Sequence, residues 1–114
     1  MNKLEILEHT LYEKAFKKLS KKYKNIDKDV DAFLSSIRSR EDLGTELKSN
    51  VYKVRIANSS KNKGKSTGYR LLSYVALVKN ELHLLYIYDK GSIGNLTESE
   101  VDAMIASVLD DSII

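Results

Sequence analysis

Two stretches near the start of the chain carry apolar residues at helical spacing. The first predicts an amphipathic helix from about residue 10 to about residue 24, with the stripe Tyr12, Phe16, Leu19 and Tyr23. Thr10 and Glu13 form the pattern of a capping box at its start. The second stretch predicts a helix that Asp27 caps, with the stripe Val30, Phe33, Leu34 and Ile37. We therefore expect two consecutive helices, ended by the breaker Gly44.

Beyond these helices the pattern changes to the alternation that is typical of β-strands. Three strands are predicted, at residues 51–57, 69–78 and 82–88. In the first of them the apolar residues alternate with Lys53 and Arg55, so that one face of the strand is apolar and the other is cationic. The last two are joined by a short polar connection that indicates a hairpin. Residues 3–8 also alternate and predict a short edge strand.

A final helix is predicted behind a second capping-box pattern, Thr97 with Glu100. The fold class is therefore α+β, with a small antiparallel β-sheet, two N-terminal helices and one C-terminal helix. A chain of 114 residues is long enough for one hydrophobic core, so we expect a single domain at 1–114. Its parts are a first strand with the helical pair at 1–46, a basic sheet at 47–92 and the C-terminal helix at 95–110.

The composition narrows the function classes. The chain has no cysteine, which excludes disulfides, thiolate catalysis and cysteine-based metal sites. Glu5 and Glu8 interrupt the region where a signal peptide needs an unbroken apolar stretch. The longest mostly apolar run, at 71–78, is far too short to cross a bilayer. We expect a soluble, cytoplasmic protein that makes no membrane contact.

The charges are distributed very unevenly along the chain, although the net charge is only +3. Residues 47–80 hold eight lysines or arginines and no acid, whereas residues 81–114 hold one base, Lys90, and seven acids. A block of one sign and this density favours a polyanionic partner, and nucleic acid first. Three of its cations lie in a polar loop that we interpret as an RNA-docking loop: Lys61, Lys63 and Lys65.

Other kinds of site have little support in the sequence. Residues 64–67 look like the end of a P-loop, but Ser59 stands where the motif needs glycine, and a strand follows where the motif needs a helix. His9 and His83 are the only histidines, and no third ligand stands at metal spacing to either. We therefore expect no cofactor and no metal.

Four cations meet on the sheet if the predicted strands are neighbours. Lys53 and Arg55 lie on the same side of one strand, Arg70 opens the next strand, and Lys90 follows the last. Such a cluster repels itself unless an anion occupies it. It would suit RNA cleavage, since cations stabilise the charge gained by an attacked phosphate and lower the pKa of a neighbouring lysine toward that of a useful base. Simple phosphate binding explains the same cluster, and both alternatives stay open.

Three sequence segments resemble the RelE superfamily of toxins, and within it most closely the HigB-like and phage Gp49-like branch. They are VYKVRI at 51–56, GKSTGYR at 64–70 and LYIYDK at 85–90. The paired helices, the Gly44 turn and the NLTESE entry to the last helix at 95–100 extend the resemblance over nearly the whole chain.

The resemblance implies a microbial RNase-like fold and a toxin of a toxin–antitoxin system. Toxins of this family cleave mRNA without a metal, commonly in the ribosomal A site, and inhibit translation. A cognate antitoxin, which in this branch is often a helix-turn-helix repressor, holds the toxin inactive, and operator DNA is contacted only through it. By resemblance, Lys53 and Arg55 contact the phosphate and assist deprotonation, Arg70 stabilises the transition state, and Lys90 is the cation that ends the last strand.

Two departures from the family pattern affect the prediction. Thr67 replaces a glycine before the Tyr69-Arg70 pair, and residues 91–96 lack the tyrosine that RelE carries after its last strand cation. Tyr88 and Tyr74 are the candidates for the missing acid or for base stacking. Two alternatives to an endoribonuclease (mRNA interferase) that leaves a cyclic phosphate therefore remain. They are a non-catalytic RNA-binding module and a decayed toxin that acts only with its repressor partner.

Overall fold

The computed structural model describes residues 3–61, 68–93 and 97–113. Within them the order is β1 (Glu5–Glu8), α1 (Thr10–Lys22), α2 (Ile26–Ser36), a 3-10 turn (Arg40–Leu43), β2 (Thr45–Lys48), β3 (Val51–Ile56), β4 (Tyr69–Ala76), β5 (Glu81–Asp89), the single-turn α3 (Lys90–Ile93) and α4 (Glu98–Ile113). The predicted α+β class is confirmed. No helix among these described residues is long and apolar enough to span a membrane.

The described strands form one five-stranded sheet in the order β1-β5-β4-β3-β2. Strands β2 to β5 pair antiparallel, as predicted, whereas β1 pairs parallel with β5 and makes the sheet mixed. An alternating pattern marks a strand but carries no information about its direction. A parallel pair needs a long crossover, and here the connection from β1 to β5 contains the rest of the sheet and both N-terminal helices.

The sheet has an apolar core on each face. On one face, here called the helix face, α1 and α2 pack Tyr12, Ile26 and Val30 against strand residues such as Leu71 and Leu84. On the other face, here called the open face, α4 packs Val101, Met104 and Ile105 over a smaller cluster of Val51, Leu72 and Leu85. Burial of these side chains removes apolar surface from water, which is the main favourable term in folding. The larger core therefore lies under the two N-terminal helices.

The helix caps differ in part from the prediction. Helix α1 begins at Thr10 with His9 as N-cap, so the Thr10–Glu13 capping box is wrong. Helix α2 has Asn25 as N-cap, and Asp27 lies inside its first turn. Each helix starts earlier than its cap signal because backbone bonds, such as Glu13 N to His9 O at 2.9 Å, already close the preceding turn. The box at α4 is confirmed, with Glu100 N donating to Thr97 Oγ1 at 3.2 Å.

Strand β2 and the 3-10 turn before it were not predicted. Gly44 joins them with a φ of 102°, a conformation that side chains disfavour. A Cβ at this position would lie 2.2 Å from the Lys53 carbonyl oxygen and 2.7 Å from Val54 Cα. Glycine is therefore required where the chain turns into β2 and passes directly against β3.

Candidate active site

The open face of the sheet carries its side chains in rows across three paired strands. Cross-strand register gives a first row of Arg55, Arg70 and Tyr88. It gives a second row of Lys53, Leu72 and Tyr86, and a third row of Val51, Tyr74 and His83. A bulge in β5 makes Leu85 the extra residue, since Leu72 pairs with Tyr86 while Ser73 pairs with Leu84. The cations therefore lie together at one end of the face.

Helix α4 covers only part of this face. Its residues Val101, Met104 and Ile105 pack against members of the second and third rows, and an ion pair between Asp102 and Lys48 connects the helix to β2. The other end of the face remains an open cleft of about 570 Å³. The described residues that line it are Gly44, Thr45, Leu47, Lys53, Val54, Arg55, Arg70 and Lys90.

All four predicted catalytic cations line this cleft. Lys53 and Lys90 are partly buried and Arg55 is exposed, whereas Arg70 is only 4% exposed. The Arg70 Nη1 donates to the carbonyl oxygen of Tyr69 at 3.2 Å. Two of the cations come from alternate positions of β3, and Lys90 is the first residue of α3. The alternation of side chains along the strands and the turn after β5 thus bring the four cations together, although Lys53 and Lys90 are 37 positions apart in the sequence.

The cations change each other's protonation. Burial lowers the pKa of Lys53, and the positive charges of Lys90, Arg70 and Arg55 lower it further. Burial and the charge of Arg55 also lower the pKa of Arg70, although a guanidinium remains protonated at any physiological pH. The described lining residues include no carboxylate. The cleft therefore favours an anion and makes Lys53 easier to deprotonate than an ordinary lysine.

The structure does not bring the predicted docking lysine Lys61 into the cleft. Its Nζ lies on the helix side of the sheet and donates to Asp89 Oδ1 at 2.8 Å. Lys63 and Lys65 lie outside the described residues. A contact of these three lysines with RNA stays a prediction.

The two candidate tyrosines lie at different distances from the cations. Tyr88 pairs directly across from Arg70 and is 1% exposed. Tyr74 lies in the third row, where it packs with the α4 cluster and its ring centre is 5.8 Å from that of His83. Tyr74 lies four positions along β4 from Arg70, which is about 13 Å at the usual rise per residue. Of the two, only Tyr88 is the direct cross-strand partner of a cation of the cleft.

Two polar contacts were missed by the sequence patterns. His9 Nε2 lies 2.6 Å from His83 Nδ1, and His83 Nε2 lies 3.0 Å from Glu81 Oε1, at the end of the open face away from the cleft. No group of His, Asp or Glu among the described residues is arranged to hold a metal ion. The second contact centres on Asp89, a buried acid whose position at the end of an apolar strand was its one signal in the sequence.

Solved structures share this architecture. A double arginine-to-alanine mutant of the E. coli toxin RelE in the free state matches with a TM-score of 0.52 and 18% identity, over 79% of this chain and 86% of that chain. The isolated E. coli RelE toxin matches with a TM-score of 0.51 and 19% identity, over 90% of this chain and 97% of that chain.

The fold is RelE-like. The predicted resemblance is thus confirmed at the level of the fold, and the HigB-like branch stays a prediction. By sequence the chain matches no family model and no curated protein. The RelE-like fold and the cation cleft together define the candidate active site.

Proposed function

We propose that this chain is the toxin of a toxin–antitoxin module and cleaves mRNA as a ribosome-dependent endoribonuclease, which inhibits translation. The observation that carries the proposal is the convergence of Lys53, Arg55, Arg70 and Lys90 around one open cleft. The RelE-like fold supports the same function, because the matched proteins are toxins. Clustered cations with one lysine of lowered pKa provide both an anion site and a base.

The proposed reaction is attack of a ribose 2′-hydroxyl on the adjacent phosphate. The free amine of Lys53 takes the hydroxyl proton, the 2′ oxygen bonds to phosphorus, and the bond from phosphorus to the 5′ oxygen breaks. The products are a 2′,3′-cyclic phosphate and a free 5′-hydroxyl. Arg55 and Arg70 bind the non-bridging oxygens, where preorganised donors are most effective as charge develops.

The leaving 5′ oxygen requires a proton, and we assign its donor to Lys90. The guanidinium groups of Arg55 and Arg70 do not release a proton at physiological pH, whereas an ammonium can. Lys53 is occupied as the base. Tyr88 is buried and does not line the cleft. Lys90 would therefore stabilise the leaving group first by charge and then by proton transfer.

The partners follow from this function. We propose that mRNA and the ribosome are the targets in the cytoplasm and that a cognate helix-turn-helix antitoxin holds the toxin inactive, with operator DNA contacted only through that antitoxin. The basic block of residues 47–80 supports an RNA partner. A small helix-turn-helix reading frame beside the gene would support the antitoxin.

The test is expression of a double variant, Lys53→Ala with Arg70→Ala, beside wild type. We expect wild type to arrest growth and to produce new mRNA 5′ ends, and the double variant to do neither. Lys79→Ala is the matched control, because Lys79 is an exposed member of the same basic block in the turn between β4 and β5. Growth arrest by the double variant at equal expression would contradict the proposal. Intact message with retained RNA affinity in wild type would instead support a non-catalytic RNA-binding module or a decayed toxin.

A further inference from the structure

Asp89 is a buried acid that the proposed reaction does not use. It ends β5, is 3% exposed, and accepts hydrogen bonds from three separate parts of the chain. The Tyr23 hydroxyl at the end of α1 donates to Oδ2 at 2.7 Å. Lys61 Nζ donates to Oδ1 at 2.8 Å, and the Gly91 backbone N donates to the same oxygen at 3.2 Å. We call these four residues the Asp89 anchor.

The anchor holds an ionised pair. Burial opposes ionisation of Asp89, but the hydrogen bonds from Lys61, Tyr23 and Gly91 outweigh burial and hold the pKa of this carboxyl below its usual range. The hydrogen bond to Asp89 in turn raises the pKa of Lys61. The Lys61 side chain is 21% exposed, and its Nζ also lies 5.4 Å from the centre of the Tyr23 ring. Lys61 is thus committed to a partner on the helix side of the sheet.

The anchor fixes the backbone on both sides of Lys90. Asp89 caps α3 with its side chain, because its Oδ1 accepts the N–H of the second residue of that turn, Gly91. The N–H of Lys90 itself donates to the Gly68 carbonyl oxygen at 3.2 Å. Gly68 passes close to the end of β3, since a Cβ on it would lie 2.2 Å from the Ile56 carbonyl oxygen, so only glycine fits at the position that accepts this hydrogen bond. The Lys90 side chain leaves this fixed backbone toward the cleft.

We infer that Asp89, held by Tyr23 and Lys61, is the positioning residue that aims Lys90 as the proton donor to the leaving 5′ oxygen. The inference rests on the proposed function and deepens it. Lys90 gives its proton to the 5′ oxygen as the phosphorus–oxygen bond breaks, and water returns a proton to Lys90. Lys61 serves the anchor and does not contact RNA.

The test compares two ribosome-bound substrates in the full-length protein. One is ordinary RNA, and the other has sulfur in place of the bridging 5′ oxygen, so that a thiolate leaves without needing a proton because a thiol has a pKa of about 8.5. We expect Asp89→Asn to lower kcat on ordinary RNA by about 10- to 100-fold and to change kcat on the sulfur substrate less than about 2-fold. Lys90→Ala should show the same selective loss, and Lys53→Ala should lose both substrates.

Equal losses on both substrates in Asp89→Asn would show a merely structural role and overturn the inference. Tyr23→Phe removes one hydrogen bond and no charge, and it tests the same selectivity if Asp89→Asn folds poorly. A loss with Tyr23→Phe on ordinary RNA alone, by about 2- to 5-fold, is the expected result. Thermal melts of each variant verify that the chain is folded at the assay temperature.

The assignment of Lys61 is tested by binding of a 2′-deoxy oligonucleotide, which has no attacking hydroxyl. If Lys61 contacts a phosphate, Lys61→Ala will reduce the slope of log affinity against log salt by about one, which would overturn its place in the anchor. We expect an unchanged slope, as for the control Lys79→Ala. A wild-type chain that binds this oligonucleotide but cleaves neither RNA substrate would overturn the proposed function, and the salt slope would still decide the role of Lys61.

Discussion

Lys53 and Lys61 lie on opposite sides of the same sheet, and their surroundings move their pKa values in opposite directions. Lys61 is hydrogen-bonded to the buried carboxylate of Asp89, and its pKa is raised. Lys53 is partly buried beside three other cations, and its pKa is lowered. Both residues belong to the same basic block of the sequence. The difference comes from the surroundings that the fold gives each lysine, which are a carboxylate at Lys61 and partial burial with three cations at Lys53.

This comparison separates a structural cation from a chemical one. A lysine whose charge is matched by a carboxylate holds its proton more tightly and contributes mainly to stability. A lysine among cations stores electrostatic repulsion that an incoming phosphate relieves. The cleft therefore has the properties of a preorganised anion-binding site. The hydrogen bonds of the Asp89 anchor instead connect α1, the loop after β3 and α3.

Substitution of each lysine by methionine should show the largest difference between Lys53 and Lys61. We expect Lys53→Met to lower the cleavage rate by about 10²- to 10⁴-fold, since the proposed general base is lost, and to leave the free energy of unfolding within about 1 kcal/mol of wild type or above it. Lys61→Met should cost about 1–3 kcal/mol, because it leaves the buried Asp89 carboxylate without its ionic partner. Single-turnover cleavage and urea denaturation measure the two effects. The comparison fails if Lys53→Met is the more destabilising variant.

Substitution of Gly44 tests whether the close approach of the chain to the Lys53 backbone, at the wall of the cleft, is needed for stability. We expect Gly44→Ala to lower the free energy of unfolding by about 1–3 kcal/mol or more, because it adds a strained φ to a Cβ that would lie 2.2 Å from the Lys53 carbonyl oxygen. Gly91→Ala is the control, since its Cβ would meet only side-chain atoms, Lys61 Nζ at 3.3 Å and Asp89 Oδ1 at 3.6 Å, and no backbone. Thermal denaturation of both variants measures the difference. Equal losses would show that close approach at Gly44 does not matter.

The cleft was predictable from the sequence because its residues follow local rules. Lys53 and Arg55 alternate on a strand, and Arg70 follows the loop that leads to the next strand, so antiparallel pairing was enough to place them together. Lys90 joined them because it directly follows the last strand. Strand β2 was not predicted because its sequence, TELK, is wholly exposed and has no apolar face to indicate a strand.

The contacts that the sequence did not predict depend on tertiary packing. The Asp89 anchor joins residues that are far apart in the sequence, with 38 positions from Tyr23 to Lys61 and 28 from Lys61 to Asp89. They come into contact only when α1 packs on the sheet with its C-terminal end near the end of β5. The His9–His83 contact similarly requires the parallel pairing of β1 with β5. Lys61 was predicted to contact RNA because it lies in a lysine-rich loop, and that contact stays a prediction. The sequence of the loop gives no sign of Asp89, the acid to which Lys61 donates.

Low pH should weaken the contribution of the ionised Asp89–Lys61 pair to stability. The pKa of Asp89 lies below its unfolded value of about 3.9, so its contribution to stability is fully present above about pH 4 and is lost as pH falls through the folded pKa. We expect Asp89→Asn to be less stable than wild type by about 1–2 kcal/mol at pH 6, and the gap to narrow as pH falls below about 4 toward the folded pKa of Asp89. Melting temperatures of both proteins from pH 2 to 7 measure the gap. A gap that persists unchanged at pH 2 would exclude the ionised pair as its source.

The chemical side of the comparison should appear in the pH dependence of cleavage. In the proposed reaction Lys53 accepts a proton only when it is deprotonated, so kcat/KM should rise with pH through its lowered pKa. Arg55→Gln removes one of the lowering charges and should move this rising limb to higher pH by up to about one unit, besides lowering its plateau. The measurement is made at low salt, because exposed charges are screened. Arg38→Gln, on an exposed residue that does not line the cleft, should leave the limb in place.

Thr45→Glu sharpens the same measurement. Thr45 lines the cleft, so this substitution gives Lys53 a neighbouring carboxylate of the kind that Lys61 already has. We expect the limb to move to higher pH by at least as much as in Arg55→Gln, because an added opposite charge favours the protonated amine as removal of a like charge does. The Michaelis constant should rise too, since the carboxylate repels the phosphate. A limb that stays in place in both variants would mean that Lys53 is not the group whose deprotonation controls cleavage.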